Sequence, residues 1–244
     1  MTEMTHPSPI PEAPRRRRPD GPNAGVLAVI ALLLSLASVL APLLLSGTGY
    51  PTPSDSSAAT VDYFSSHAFA ATLTGTLAFG ASVPLGILAA TVYARMLRLG
   101  VRVPGTGIAF YGGIAASVLL SAAGLLTWSL GQAAVGVPPR TTHLLNDFVF
   151  ALGGFGFVGA LGLLMAGIAV PSLILRLVPR WLAWPGLLLA ALSELSFFGM
   201  LWPALDILLP VCRFAGLLWL SVIGFRLPRS RHEVTSRPAG HGLP

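Results

Sequence analysis

Apolar and polar positions along this chain separate into long blocks rather than alternating finely. Residues 1–23, "MTEMTHPSPIPEAPRRRRPDGPN", are polar, Pro-rich and without periodicity. Such a stretch lacks the apolar surface that would order it, and it reads as a flexible tail. Six apolar segments follow, near residues 24–46, 67–93, 107–130, 145–172, 181–201 and 205–225. At about 1.5 Å of rise per residue, each is long enough to cross a hydrocarbon core of roughly 30 Å. Backbone amides in lipid must be satisfied within their own segment, so the pattern predicts an all-α, polytopic membrane protein built as a bundle of six transmembrane helices. The expected organisation is a tail over 1–23, a transmembrane domain over 24–226 and a disordered basic tail over 227–244.

The connections add detail. The 47–66 stretch, "GTGYPTPSDSSAATVDYFSS", opens with Gly/Pro/Ser turn chemistry and predicts a short helix from near Ser54. Tyr63 and Phe64 in it suit a membrane–water interface. Pro42 and Pro84 fall inside apolar segments, where proline kinks a helix or ends it. The two halves of the chain share apolarity but no alignable pattern, so the inverted repeat of many transporters is not visible.

Composition agrees with the blocks. Hydrophobic residues make up 54% of the chain and charged ones only 10%, against about a quarter in soluble domains. All fifteen basic residues are arginine, alongside 27 Gly and 21 Pro, a bias typical of a GC-rich genome. The net charge of +6 does not form a nucleic-acid face, because the arginines stand at the ends of apolar runs. Thirteen of the fifteen fall on one side of a six-span topology: Arg15–Arg18, Arg95, Arg98, Arg102, Arg176, Arg180, Arg226, Arg229, Arg231 and Arg237. The positive-inside rule then places both termini in the cytoplasm, and the plasma membrane is the expected location. Arg15, Arg16, Arg17 and Arg18 also suit anionic headgroups, at perhaps 1 kcal/mol each. The 23-residue first segment exceeds the apolar core of a signal peptide, about 7–15 residues, so it reads as an uncleaved anchor. The single cysteine, Cys212, excludes an internal disulfide and a Cys-based metal cluster.

Three features carry candidate chemistry. Glu194 interrupts "AALSELSFFGMLWP", and Arg213 interrupts the last segment. If segments five and six form a hairpin turning at 202–204, both lie nine or ten positions from the turn, about 10 Å deep. They are therefore expected to pair, since a lone charge there costs around 2.5–3.5 kcal/mol on insertion scales. Alternatives are proton or cation chemistry at Glu194, or Arg213 snorkelling while Glu194 bonds Ser193 or Ser196. The second feature is His67 with His143 and Asp147, the latter two sharing a helix face; they suit a pH sensor, a metal or ordinary interfacial polar residues. The third is a stripe of Gly153, Gly156, Gly159 and Gly162, matched by Ser82, Gly86 and Ala90 in the second segment. It favours close helix packing. No phosphate loop, dinucleotide motif, nucleophile elbow or zinc-protease helix is present, so neither catalysis nor a cofactor is expected. The expected role is accessory or sensory, through a protein partner or homo-oligomer; the alternative is a small proton- or cation-coupled transporter using Glu194.

The stretches "PRWLAWPGLLLAAL", "VCRFAGLLWLSVIGFRLPRSR" and "PSDSSAATVDYFSSH" resemble features of uncharacterised actinobacterial six-helix membrane proteins of a domain-of-unknown-function family. The resemblance spans residues 24 to 230 in topology and implies source and class, with no substrate or catalytic residue attached.

Overall fold

The computed structural model describes residues 21–133 and 136–228. In chain order it contains α1 (Ala24–Ser46), α2 (Ser57–Ser66), α3 (Ala68–Arg98), α4 (Pro104–Ala133), α5 (Pro139–Phe150), a π-helical segment (Ala151–Gly156), α6 (Phe157–Ile174), α7 (Arg180–Leu195) and α8 (Leu208–Arg226). Two 3₁₀ turns, Ser196–Met200 and Pro203–Ile207, make the hairpin between α7 and α8. No strand occurs among the described residues. Six helical stretches are long and apolar enough to cross a membrane, with α5, the π segment and α6 forming one continuous fourth span. The protein is therefore an all-α bundle of six spans.

Local chemistry sets the helix ends. The Asn23 side chain accepts from the Gly25 and Val26 amides at the start of α1, and Gly47 ends it at φ 68°. Ser56 caps α2 through the Ala59 amide. The fourth span starts at Pro139, well before the apolar block at 145, because proline suits a first helical position. Two of its early polar residues face protein: Thr142 and Asn146 are fully buried. Helix α3 outruns its apolar block in the other direction. Arg95, expected in a connecting loop, lies inside the helix, is buried, and donates from Nη1 to the Gly224 carbonyl of α8 at 3.1 Å. Neither Pro42 nor Pro84 ends its helix. Near Pro84 the Ser117 hydroxyl of α4 donates to the Ser82 carbonyl of α3 at 2.8 Å and ties the two spans together.

Packing arranges the spans as a ring in sequence order, α1 against α3, α3 against α4, α4 against α6, α6 against α7, α7 against α8, and α8 back against α1. Glycine permits the closest approaches. A Cβ on Gly75 of α3 would stand 2.6 Å from the Gly124 carbonyl of α4, and one on Gly124 would stand 2.6 Å from the Phe79 amide nitrogen. At the opposite end of the same helix, a Cβ on Gly112 would stand 2.6 Å from the Leu164 amide of α6. The expected pairing of the second and fourth segments is not found. The second segment gives its stripe to the third, with a Gly86 Cβ falling 2.9 Å from Ser117 Oγ. The fourth divides its own: Gly153 and Gly156 face Ala123 and Leu119 of α4, and Gly162 faces Ser193 of α7.

One end of the ring carries a cap. There α2 lies on α5, and Tyr50, Tyr63 and Phe64 pack edge-to-face with centroids 5.5–5.9 Å apart. Tyr63 and Phe64 are buried in this small second core instead of facing an interface. Burial pushes the Tyr50 and Tyr63 phenols above their ordinary pKa, so both remain neutral. The opposite end, where the described chain begins and finishes, is called the tail end below.

Replacing Gly75 with valine should destabilise the protein by 1–3 kcal/mol or more, roughly the range for overpacking. Gly159→Ala, where a Cβ meets nothing within 4 Å, should be nearly neutral. Thermal unfolding of both variants in detergent checks the contrast.

Candidate functional site: a membrane-depth cavity around Arg213

Arg213 sits near the middle of the sixth span, Pro203–Arg226. Its helix is packed between α1 and α7 and touches α6, so the side chain enters the bundle instead of reaching the nearer end. Nε donates to the Ser35 hydroxyl of α1 at 2.9 Å, and Nη1 reaches the Gly153 carbonyl at 3.5 Å. The guanidinium carbon lies 5.0 Å from the Phe157 ring centroid and 6.0 Å from that of Phe214. Gly153 belongs to the π segment, where the Phe157 amide bonds back five residues to Leu152. Such widened turns recur at functional sites. The glycines of "ALGGFG" leave that carbonyl unshielded by a side chain.

Arg213 also lines a cavity of about 450 Å³. The cavity runs from the cap, at Tyr50 and Pro51, down to the level of Ser38, Leu120, Val158 and Phe214. Its walls come from α1, α3, α4, the fourth span and α8, and are mostly apolar. Thr74, Thr127 and Tyr50 supply hydroxyls in its upper half. Among the described residues Arg213 is its single charged lining residue, and no carboxylate borders it.

The expected Glu194–Arg213 ion pair does not form. Arg213 spends its hydrogen bonds on Ser35 and Gly153, and the one ion pair within 4 Å among the described residues is His143–Asp147. Glu194 lies on an exposed face of α7 against the fourth span, where a Gly162 Cβ would stand 3.0 Å from Glu194 Oε1. It does not line the cavity. Counting residues from the turn estimates depth, but each residue also rotates about 100° around the helix axis, and rotation sends the two charges to different faces. Nor do the neighbouring serines bond Glu194: the Ser196 hydroxyl donates to the Ser193 carbonyl at 2.6 Å.

The histidine cluster divides in two. His143 Nε2 lies 3.8 Å from Asp147 Oδ2, and its Nδ1 lies 3.1 Å from the Thr60 hydroxyl, which ties α5 to α2. His67 instead packs on Tyr63 with centroids 5.5 Å apart and borders a separate 240 Å³ pocket with Asp55 and Asp62. Among the described residues, no three His, Cys, Asp or Glu side chains are grouped to hold a metal ion. Asn146 also serves the cap, donating to the Pro51 carbonyl at 3.2 Å. Arg15, Arg16, Arg17 and Arg18 lie outside the described residues.

Comparison with protein-family models, with curated proteins and with solved structures finds no match to this chain. The cavity and its Arg213 are therefore read from geometry alone. Sequence reasoning singled out Arg213 and the glycine stripe separately; that Gly153 belongs to both was open to notice only through the three-dimensional contact.

Glu194→Gln and Arg213→Gln should act independently, the double variant losing the sum of the single effects to within about 0.5 kcal/mol. Ser35→Ala should cost around 1 kcal/mol. Unfolding midpoints in one detergent measure all four variants, and a coupling well above that margin between residues 194 and 213 would restore the ion-pair reading.

Proposed function

We propose that this chain is a non-enzymatic plasma-membrane protein that takes up a small apolar ligand in the cavity below the cap and acts through a partner protein. The cavity is the observation that carries this reading. Its 450 Å³ and largely apolar walls match the size and character of pockets for small molecules, about 300–1,000 Å³. Spans 1, 2, 3, 4 and 6 all border it, so an occupant would touch most of the bundle at once. A ligand that favours one arrangement of those spans shifts their relative positions, which is how a sensory or accessory protein reports occupancy.

The arginine distribution supports cytoplasmic tails, and this orientation puts the cap and the cavity mouth on the outer side. The carrier alternative built on Glu194 has less support, because that carboxylate stands outside the cavity on another face of the bundle.

The purified chain should bind a fluorescent apolar probe such as 1-aminoanthracene saturably. Ala78→Trp, which projects an indole into the cavity, should weaken that binding by about tenfold or more, while Ile174→Trp on an exposed face should not. Equal binding by both variants would remove the reading. Orientation is checked separately in a Cys212→Ala background. An impermeant maleimide applied to intact cells should label Ser54→Cys and leave Ser8→Cys and Ser236→Cys unlabelled until the cells are opened.

A further inference from the structure

We infer that the cavity selects a small amphipathic monoanion, with one carboxylate or phosphate on the Arg213 guanidinium and a compact apolar body along the walls toward the cap; this rests on the cavity being a ligand site. Among the described residues Arg213 is the sole charge in the lining. Its partners there are all neutral: a serine hydroxyl, a glycine carbonyl and two phenyl rings. They orient the guanidinium and leave its charge in place. Nη2 makes no hydrogen bond to the described residues, so a donor edge is left for an acceptor inside the cavity.

Physical chemistry then ranks the ligand classes. Opposite charges attract more strongly where water is scarce, and a guanidinium holds a planar anion through paired, charge-assisted hydrogen bonds. A neutral amphiphile would fill the walls but leave the cation unmatched. A cationic one would be repelled, and no wall carboxylate among the described residues offsets this. Glu194 is absent from the lining and does not compete. Size narrows the class further. About 450 Å³ lies toward the small end of ligand pockets, which suits one short chain or a small ring system and not a two-chain phospholipid.

The test uses the full chain in neutral phosphatidylcholine nanodiscs, with radiolabelled octanoate as probe in a scintillation proximity assay. Unlabelled octanoate should displace it at concentrations about tenfold below those needed for octanol or octylamine, compounds with the same chain and no negative charge. Arg213→Gln should abolish that preference, and Arg213→Lys should keep much of it. Should Arg213→Gln fail to fold, the octanoate-to-octanol ratio on the unaltered protein still decides. Displacement by octanol as readily as by octanoate would overturn the anion assignment and leave the cavity reading standing. Loss of all saturable binding, to octanoate and to 1-aminoanthracene alike, would remove both. Lysophosphatidate added to the discs separates the sources: displacement of labelled octanoate by it at concentrations below those of unlabelled octanoate indicates a lipid headgroup, and displacement only at higher concentrations indicates a free acid.

Discussion

A cation held halfway along a membrane span constrains the whole bundle. Arg213 stands far from either end of the sixth span and has no carboxylate within ion-pair distance among the described residues. An isolated charge at that depth costs roughly 2.5–3.5 kcal/mol on insertion scales, so the surrounding helices must offer it dipoles and polarisable surface. Ser35 from the first span, a backbone carbonyl from the fourth and the Phe157 ring supply these. One side chain therefore ties three spans that are distant in sequence. The fourth span departs from α geometry at the same place: its π turn, "ALGGFG", holds three glycines, and Gly153 among them presents its carbonyl to the guanidinium.

The remainder of the ring closes by different means at its two ends. Toward the tail end, backbone meets backbone: a Cβ on Gly224 would stand 2.7 Å from the Gly25 nitrogen, and Arg95 binds the Gly224 carbonyl. Between α7 and α8, Trp219 lies over Gly186 and donates from its indole nitrogen to the Leu182 carbonyl at 2.8 Å. In lipid, where the surroundings are as apolar as the side chains, close packing and interhelical hydrogen bonds hold helices together. Toward the cap end the first, second, third, fourth and sixth spans leave room, and α2 with its aromatic cluster covers the space.

The two intramembrane charges illustrate different solutions to one problem. Arg213 is turned inward and shared among neutral acceptors, so it retains the capacity to bind an anion. Glu194 is turned outward into the groove beside Gly162 with no side-chain hydrogen bond to the described residues. A carboxylate in such a position is neutralised by a proton or meets a group from outside the bundle. This places any partner contact through Glu194 on a surface separate from the cavity.

Number, order and approximate limits of the spans were set by the sequence alone, because the hydrocarbon core imposes a length of about 20 apolar residues and requires each backbone to satisfy itself. The hairpin at 202–204, the short helix before His67 and the presence of charge at depth were legible for the same reason. Errors of extent arose where protein, and not lipid, surrounds a helix end: Thr142 and Asn146 are polar yet buried, and Arg95 extends α3 into the bundle. Which helix faces which, and which charge meets which acceptor, depended on the rotation of each helix about its axis. Nearly uniform apolarity around these helices conceals that rotation from a one-dimensional pattern, and only the close approaches of glycine and the routing of Arg213 to Ser35 and Gly153 decide it.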